Sequence, residues 1–197
     1  MTEVALCGHA TLASAFVLFV CRNWHADTII FQTLKSGQLM VTRQGKLLEM
    51  DFPARSAYPQ TPPDRLSRAL GVTPEKVYGS AEDVMVVLDS EKTVAEVQPD
   101  FAALEQIDSR GIIITAPGEQ CDFVSRFFAP SVGIPEDPVT GSAHCVLIPY
   151  WATVLGKKEL YALQVSKRGG ELFCGLVDER VKISGKAALY LEGTITI

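Results

Sequence analysis

Two short stretches set a glycine among polar side chains directly ahead of an apolar run: Cys7-Gly8-His9, and the segment Glu136-Asp137-Pro138-Val139-Thr140-Gly141-Ser142. A helix beginning at either point would present unpaired N–H groups and partial positive charge, which can hold a carboxylate without a dedicated cation. Gly8 and Gly141 have no β-carbon, so a ligand can approach the backbone closely at both. Two such starts facing one cleft would make an anion site, with Cys7 and His9 on one side and Glu136, Asp137, Thr140 and Ser142 on the other.

Each of these side chains also has a plainer reading. Neutral imidazole both accepts and donates, so His9 can move a proton or hold a substrate group; it can equally cap its own helix. Asp137 offers a carboxylate, yet Asp before Pro is also an ordinary turn former. Cys7 is either a nucleophile or base beside a helix start, or a small core residue. His144 and Cys145 are adjacent but lie inside an apolar run, which points to core packing rather than metal binding, and Tyr150-Trp151 reads as core in the same way.

The elements that must position these groups are legible in outline. Ala10 to Arg22 carries Ala, Leu, Phe and Val at nearly every position, more than a one-sided stripe needs, and predicts a buried helix. From Thr28 to Phe52, short β-rich runs separated by Ser36-Gly37 and Gln44-Gly45 predict an antiparallel meander. Pro53 to Asp64 concentrates four prolines and predicts a linker. Beyond it, "DRLSRALG" predicts a short helix ending at Gly71, and "TPEKVYG" a helix start with Thr73 as cap and Pro74 in the first position. "DVMVVLD", "GIIITA" and "DFVSRFF" predict strands, with a helix in "PDFAALEQ". A loop containing Pro130, Pro135 and Pro138 leads to a second apolar helix, Ala143 to Leu155, stopped by Gly156. Three or four strands finish the chain: "LYALQVS", "ELFCGLV", "RVKIS" and "AALYLEGTITI". "GHATLASAFVLF" and "GSAHCVLIPYW" echo each other, each opening an apolar helix among strands, which favours a duplicated unit.

Composition excludes several function classes. With 197 residues, of which 47% are hydrophobic and 21% charged, the chain is long enough for a large core without disulfides. A formal charge of −5 and no long basic stretch argue against nucleic-acid binding by phosphate neutralisation. The run Ala10 to Cys21 is too short to span a bilayer, and its leading flank has Glu3 and no Lys or Arg, so neither a membrane span nor a signal peptide is expected; a cytoplasmic protein follows. Five cysteines at irregular spacing imply no disulfide framework, and none forms the C-x-x-C pair of a zinc site. Neither a phosphate loop nor a dinucleotide fingerprint is present, so no metal or organic cofactor is implied.

"EVALCGHATLASAFVLF", "SRFFAPSVGIPEDPVTGSAHCVLIPYWATVLGKKEL" and "QVSKRGGEL" together resemble the PhzF family of phenazine biosynthesis-like isomerases. The resemblance implies an α+β, diaminopimelate epimerase-like fold, with two lobes that are each a curved antiparallel sheet or barrel around a central helix. Residues 1–57 would be what remains of the N-terminal lobe and 58–197 the C-terminal lobe, with the final strand returning to the first. It implies a cofactor-independent isomerase or epimerase that shifts a proton on a small carboxylate substrate, and a homodimer. Carried over residue by residue, it makes His9 and Asp137 catalytic, and Gly8, Gly141 and Ser142 substrate-binding. Gly8 and Gly141 stand near the places where diaminopimelate epimerase-like relatives carry paired cysteines, so a two-thiol mechanism is not expected.

One departure matters. Family members carry a segment before "CGH" with a Gly-Asn-Pro motif and a Ser-Glu-Thr motif whose glutamate transfers the proton. This chain starts at Met1-Thr2-Glu3, so the first lobe is expected to be incomplete, and Glu3 belongs to the "CGH" stretch rather than standing for that glutamate. Two rivals follow: a non-catalytic binding or interaction protein that keeps the cleft without its base, and a thiol enzyme using Cys7.

Overall fold

The computed structural model describes residues 7–34 and 37–194, and among them twelve strands join one sheet. β1 (Thr28–Gln32), β2 (Gln38–Gln44) and β3 (Leu47–Pro53) form the expected antiparallel meander. Period-two alternation sets their faces: Leu48, Met50 and Phe52 of β3 are buried, while Glu49 and Asp51 turn outward. β3 then pairs antiparallel with β12 (Arg180–Gly185), Asp51 opposite Lys182, so the meander is joined to the last described strand. Arg180 and Lys182 bond the Asp51 carboxylate at 2.7 and 2.6 Å across that junction.

From β12 the order runs through β11 (Gly170–Val177), β10 (Glu159–Gln164), β8 (Phe123–Ala129), β7 (Gly111–Pro117), β6 (Asp83–Val87), β5 (Lys76–Gly79) and β4 (Tyr58–Pro59), while β9 (Ile134–Asp137) lies against β8. The path is open at β1 and β4, so the sheet is not a closed barrel. Two neighbouring pairs are parallel, β6 with β7 and β8 with β10, and a parallel pair needs a crossover. Helices α3 (Glu91–Glu96) and α4 (Phe101–Glu105) make the first and α5 (Gly141–Leu155) the second.

Those crossovers explain why β7 and β8 are buried on both faces. On one face α5 packs Ala143, Val146, Leu147, Ile148 and Trp151 against Ile113, Phe123, Phe127 and the inner side of the meander. On the other, α2 (Leu66–Leu70), α3 and α4 cover Ile112, Ile114, Val124 and Phe128. Each fully buried Leu, Ile or Phe contributes about 1.5–3 kcal/mol by leaving water. Pro149 sits inside α5 and has no N–H to offer the Cys145 carbonyl one turn back. The backbone N–H of Arg55 supplies that bond instead, at 2.9 Å, and so pins the proline-rich segment 53–64 to the helix.

Several expectations require correction. Helix α1 (Gly8–Phe16), continued by a wider turn at Val17–Cys21, is buried only on one side: Ala15 and Phe19 are inside, whereas Val17 and Val20 are exposed, because among the described residues it packs chiefly on β2, β3 and the start of α5. "TPEKVYG" forms β5 rather than a helix; Val77 opposite Val86 pairs across the sheet, and that pairing overrides the local capping signal. α3 was not foreseen, although Ser90 caps it by accepting from the Thr93 N–H at 3.1 Å. The loop with Pro135 contains β9, and residues 187–194 of the last predicted strand form no regular element. No helix among the described residues is long and apolar enough to cross a membrane.

Candidate functional site

The starts of α1 and α5 meet. A β-carbon built on Gly8 would lie 3.8 Å from the Gly141 α-carbon, and one built on Gly141 would lie 3.8 Å from that of Gly8. Met50 and Phe52, turned inward by the alternation of β3, would meet a β-carbon built on Gly8 at 3.8 and 3.7 Å, and Phe52 would meet one on Gly141 at 3.9 Å. Cys7 and Thr140 precede the two helices in extended conformation, and neither side chain caps the N–H groups that follow. Both starts therefore leave first-turn donors without an intrahelical or side-chain partner.

Thr140 is of the right type to cap α5, but its hydroxyl is committed elsewhere. It donates to Asp137 Oδ2 at 2.7 Å and accepts from Gln164 Nε2 at 3.2 Å. Gln164, a buried residue of β10, also accepts from the Thr140 N–H at 2.8 Å and donates to the Asp137 carbonyl at 2.7 Å. Asp137 is thus held at the entry to α5 by both backbone and side chain. Glu136 faces the other way: Arg126 takes its carboxylate in a fork at 2.7 and 3.1 Å and donates to the carbonyls of Val94, Ala95 and Val97 where α3 ends. That arrangement fastens the strand leading to Asp137 and commits both Glu136 oxygens to Arg126.

Ser142 Oγ accepts from Arg110 at 3.3 Å, and Arg110 in turn forks onto the buried Asp83. Its hydroxyl is directed toward that pair. A cavity of about 580 Å³ is lined by His9 and Gly141 together with Leu12, Met50, Val139 and Ile183, and by Arg168 and Lys186. Gly8, Asp137 and Ser142 do not line it. His9 is exposed, with Nε2 3.6 Å from the Cys7 sulfur.

The other polar groups of α5 belong to the core. His144 is fully buried; its Nδ1–H donates to the Thr140 carbonyl at 2.8 Å, Nε2 has no partner, and burial lowers its pKa to about 4. Burial likewise pushes the Cys145 thiol up to about 12. Trp151 stacks on Phe123 and donates to Thr115 at 3.0 Å. Among the described residues no three His, Cys, Asp or Glu side chains stand close enough to hold a metal ion. Gln164, Arg110 and Arg168 were missed by the sequence reading. Gln164 had a signal, being polar at a buried position of an alternating strand, whereas Arg110 and Arg168 look like ordinary surface charges until the fold brings them in.

Known proteins share this chain's sequence and fold. Residues 1–193 match the PhzC-PhzF family, described as phenazine biosynthesis-like protein. An uncharacterized isomerase of Pseudomonas aeruginosa is 51% identical over 195 residues, which is 99% of this chain and 74% of that protein. The crystal structure of a PhzF-family phenazine biosynthesis protein from Enterococcus faecalis superposes with a TM-score of 0.95 at 43% identity, covering 99% of this chain and 75% of the other. A predicted epimerase from Pseudomonas aeruginosa, 16% identical with a TM-score of 0.64 over 93% of this chain and 72% of that one, shares the fold alone. The "CGH" and "EDPVTGS" stretches meet at Gly8 and Gly141 within a chain whose relatives match it almost end to end, and the protein belongs to the PhzC-PhzF family of isomerase-like proteins.

Proposed function

We propose that this chain is an isomerase or epimerase of PhzF type that moves a proton on a small carboxylate substrate by general acid/base catalysis, with no metal or organic cofactor. The observation that carries the reading is the meeting of two helix starts at Gly8 and Gly141, neither capped by a side chain, beside a cavity lined by His9 and Gly141. A carboxylate entering there would find backbone N–H groups of both helices and two partial positive charges. Fixing it would align the carbon that loses or gains the proton, and orientation of this kind removes much of the entropic part of a barrier.

His9 supplies the imidazole on the cavity wall and, with Asp137, shares or stabilises the mobile proton of the bound molecule. Asp137, anchored by Thr140 and Gln164, orients and polarises from the α5 entry. Ser142, with its hydroxyl held by Arg110, contributes its first-turn N–H rather than its oxygen.

The test is proton exchange. The protein is incubated in D₂O with a panel of small carboxylates, and loss of a C–H resonance is followed by NMR. Exchange that falls about 10²–10⁴-fold in His9→Ala and in Asp137→Asn, and is little changed in Cys7→Ser, is the expected result. Carboxylates that perturb His9 and Gly141 yet never exchange a proton would replace the isomerase with a binding protein. Loss confined to Cys7→Ser would replace it with a thiol enzyme.

A further inference from the structure

Asp83 opens β6 with its side chain fully buried, and Arg110, the residue before β7, answers it with a fork: Nε donates to Oδ1 at 2.9 Å and Nη2 to Oδ2. The same Nη2 carries a second hydrogen. That one goes to Ser142 Oγ at 3.3 Å, in the first turn of α5. A buried ion pair is a weak source of stability, whereas its planar fork fixes the guanidinium in one orientation.

The backbone of Arg110 is fastened as well. Its N–H donates to the Glu82 carbonyl at 2.9 Å, and its carbonyl accepts from Ser131 Oγ at 2.9 Å. A β-carbon on Gly111 would fall 2.3 Å from Phe127 and 3.2 Å from Asp83 Oδ1, so only glycine after Arg110 lets the ring and the carboxylate lie this close. The guanidinium lies over the Phe127 ring, 5.5 Å from its centroid, and Arg55 holds the neighbouring Glu82 at 2.7 Å. The contact with Ser142 is therefore made by a residue held at both its backbone and its guanidinium.

A serine hydroxyl readily turns back onto its own or a neighbouring backbone N–H, and in the first turn of a helix it would cover the donors that a ligand needs. In this protein the Ser142 oxygen takes the Arg110 hydrogen instead. We infer that Arg110 is a positioning residue for the carboxylate site: it occupies the Ser142 oxygen and so keeps the first-turn N–H groups of α5 open to a bound carboxylate. Asp83 acts one step further back, by holding Arg110. The inference rests on the proposed carboxylate site at the Gly8 and Gly141 helix starts.

Butanoate serves as the probe, its binding followed by NMR at the Gly141 amide and the His9 ring. Arg110→Lys keeps a cation for Asp83 but loses the fork that reaches Ser142, and affinity should fall roughly tenfold, the weight of one hydrogen bond. The same substitution made in a Ser142→Ala chain should change affinity less than about twofold, because no hydroxyl remains to turn back; a double-mutant cycle reads the difference. A role confined to neutralising Asp83 would not distinguish the two backgrounds. Thermal melts check folding, and if Arg110→Lys does not fold, Asp83→Asn combined with Arg110→Gln, which buries no unpaired charge, takes its place in both backgrounds. A loss that persists in the Ser142→Ala chain, or no loss in either chain, overturns the inference while the helix-start site stands. If butanoate shifts neither Gly141 nor His9 in the unaltered protein, the carboxylate site itself is overturned, and this inference with it.

Discussion

Gly8 and Gly141 face each other across the helix starts at a spacing that would admit a methyl group, since a β-carbon on either would sit 3.8 Å from the other's α-carbon, an ordinary van der Waals distance. Neither residue has a positive φ, so alanine is compatible with both backbones. Gly8→Ala and Gly141→Ala should therefore keep or slightly raise the melting temperature, helped by up to about 1 kcal/mol of helix propensity. The same methyl would cover the first-turn N–H groups, and carboxylate affinity should fall tenfold or more. Melts and NMR titrations of the two variants separate these effects; undiminished binding in both would remove the helix starts from the site.

Gly170→Ala should behave in the opposite way. Its β-carbon would meet all three side-chain carbons of Val139, the nearest at 2.2 Å, and overpacking of that kind costs about 1–3 kcal/mol. Val139→Ala made in the same chain should recover most of the loss, and a double-mutant cycle from urea denaturation measures the coupling. Additive losses would mean the loop moves aside without strain.

Gln164→Ala would leave the Thr140 N–H and the Asp137 carbonyl without the buried amide that satisfies them. A loss of about 1–3 kcal/mol in stability is expected. Because the same amide anchors Asp137, proton exchange should also fall when measured well below the melting temperature. Reduced stability with exchange unchanged would show that Thr140 alone positions the carboxylate.

His144 makes stability depend on pH. Burial holds its folded pKa near 4, against an ordinary value of 6.5, so between those values the unfolded chain binds a proton that the folded chain refuses. The contribution is fully present above about pH 6.5, declines as the pH falls, and is lost near pH 4; its size is on the order of 3 kcal/mol. His144→Asn keeps a donor for the Thr140 carbonyl and removes the titration, so its stability should vary less between pH 7 and 5 even if its overall level drops. Equal slopes for the two proteins in urea melts across that range would exclude His144 as the source.

Short-range features of this protein were legible in the residues themselves. Asp100 caps α4, Gly71 and Gly156 end α2 and α5 in the left-handed conformation, and the alternation of β3 selects Leu48, Met50 and Phe52 for the core. Each such signal spans only a few positions, because a cap or a turn needs no partner beyond its neighbours. The two glycine-led helices could be named for the same reason, whereas the candidate roles of His9 and Asp137 rest on the resemblance of their two stretches to the PhzF family. What the tertiary structure decided are relationships between distant segments. These include the pairing of β3 with β12, the Arg55 N–H that serves the carbonyl orphaned by Pro149, the Val77–Val86 pairing that overrode a helix cap, and the arrival of Gln164, Arg110 and Arg168 around the start of α5. A hydrogen bond between segments so far apart leaves no periodicity to read, and whether a surface arginine meets a cavity or open water depends on a loop path set by packing at Gly170 and Val139.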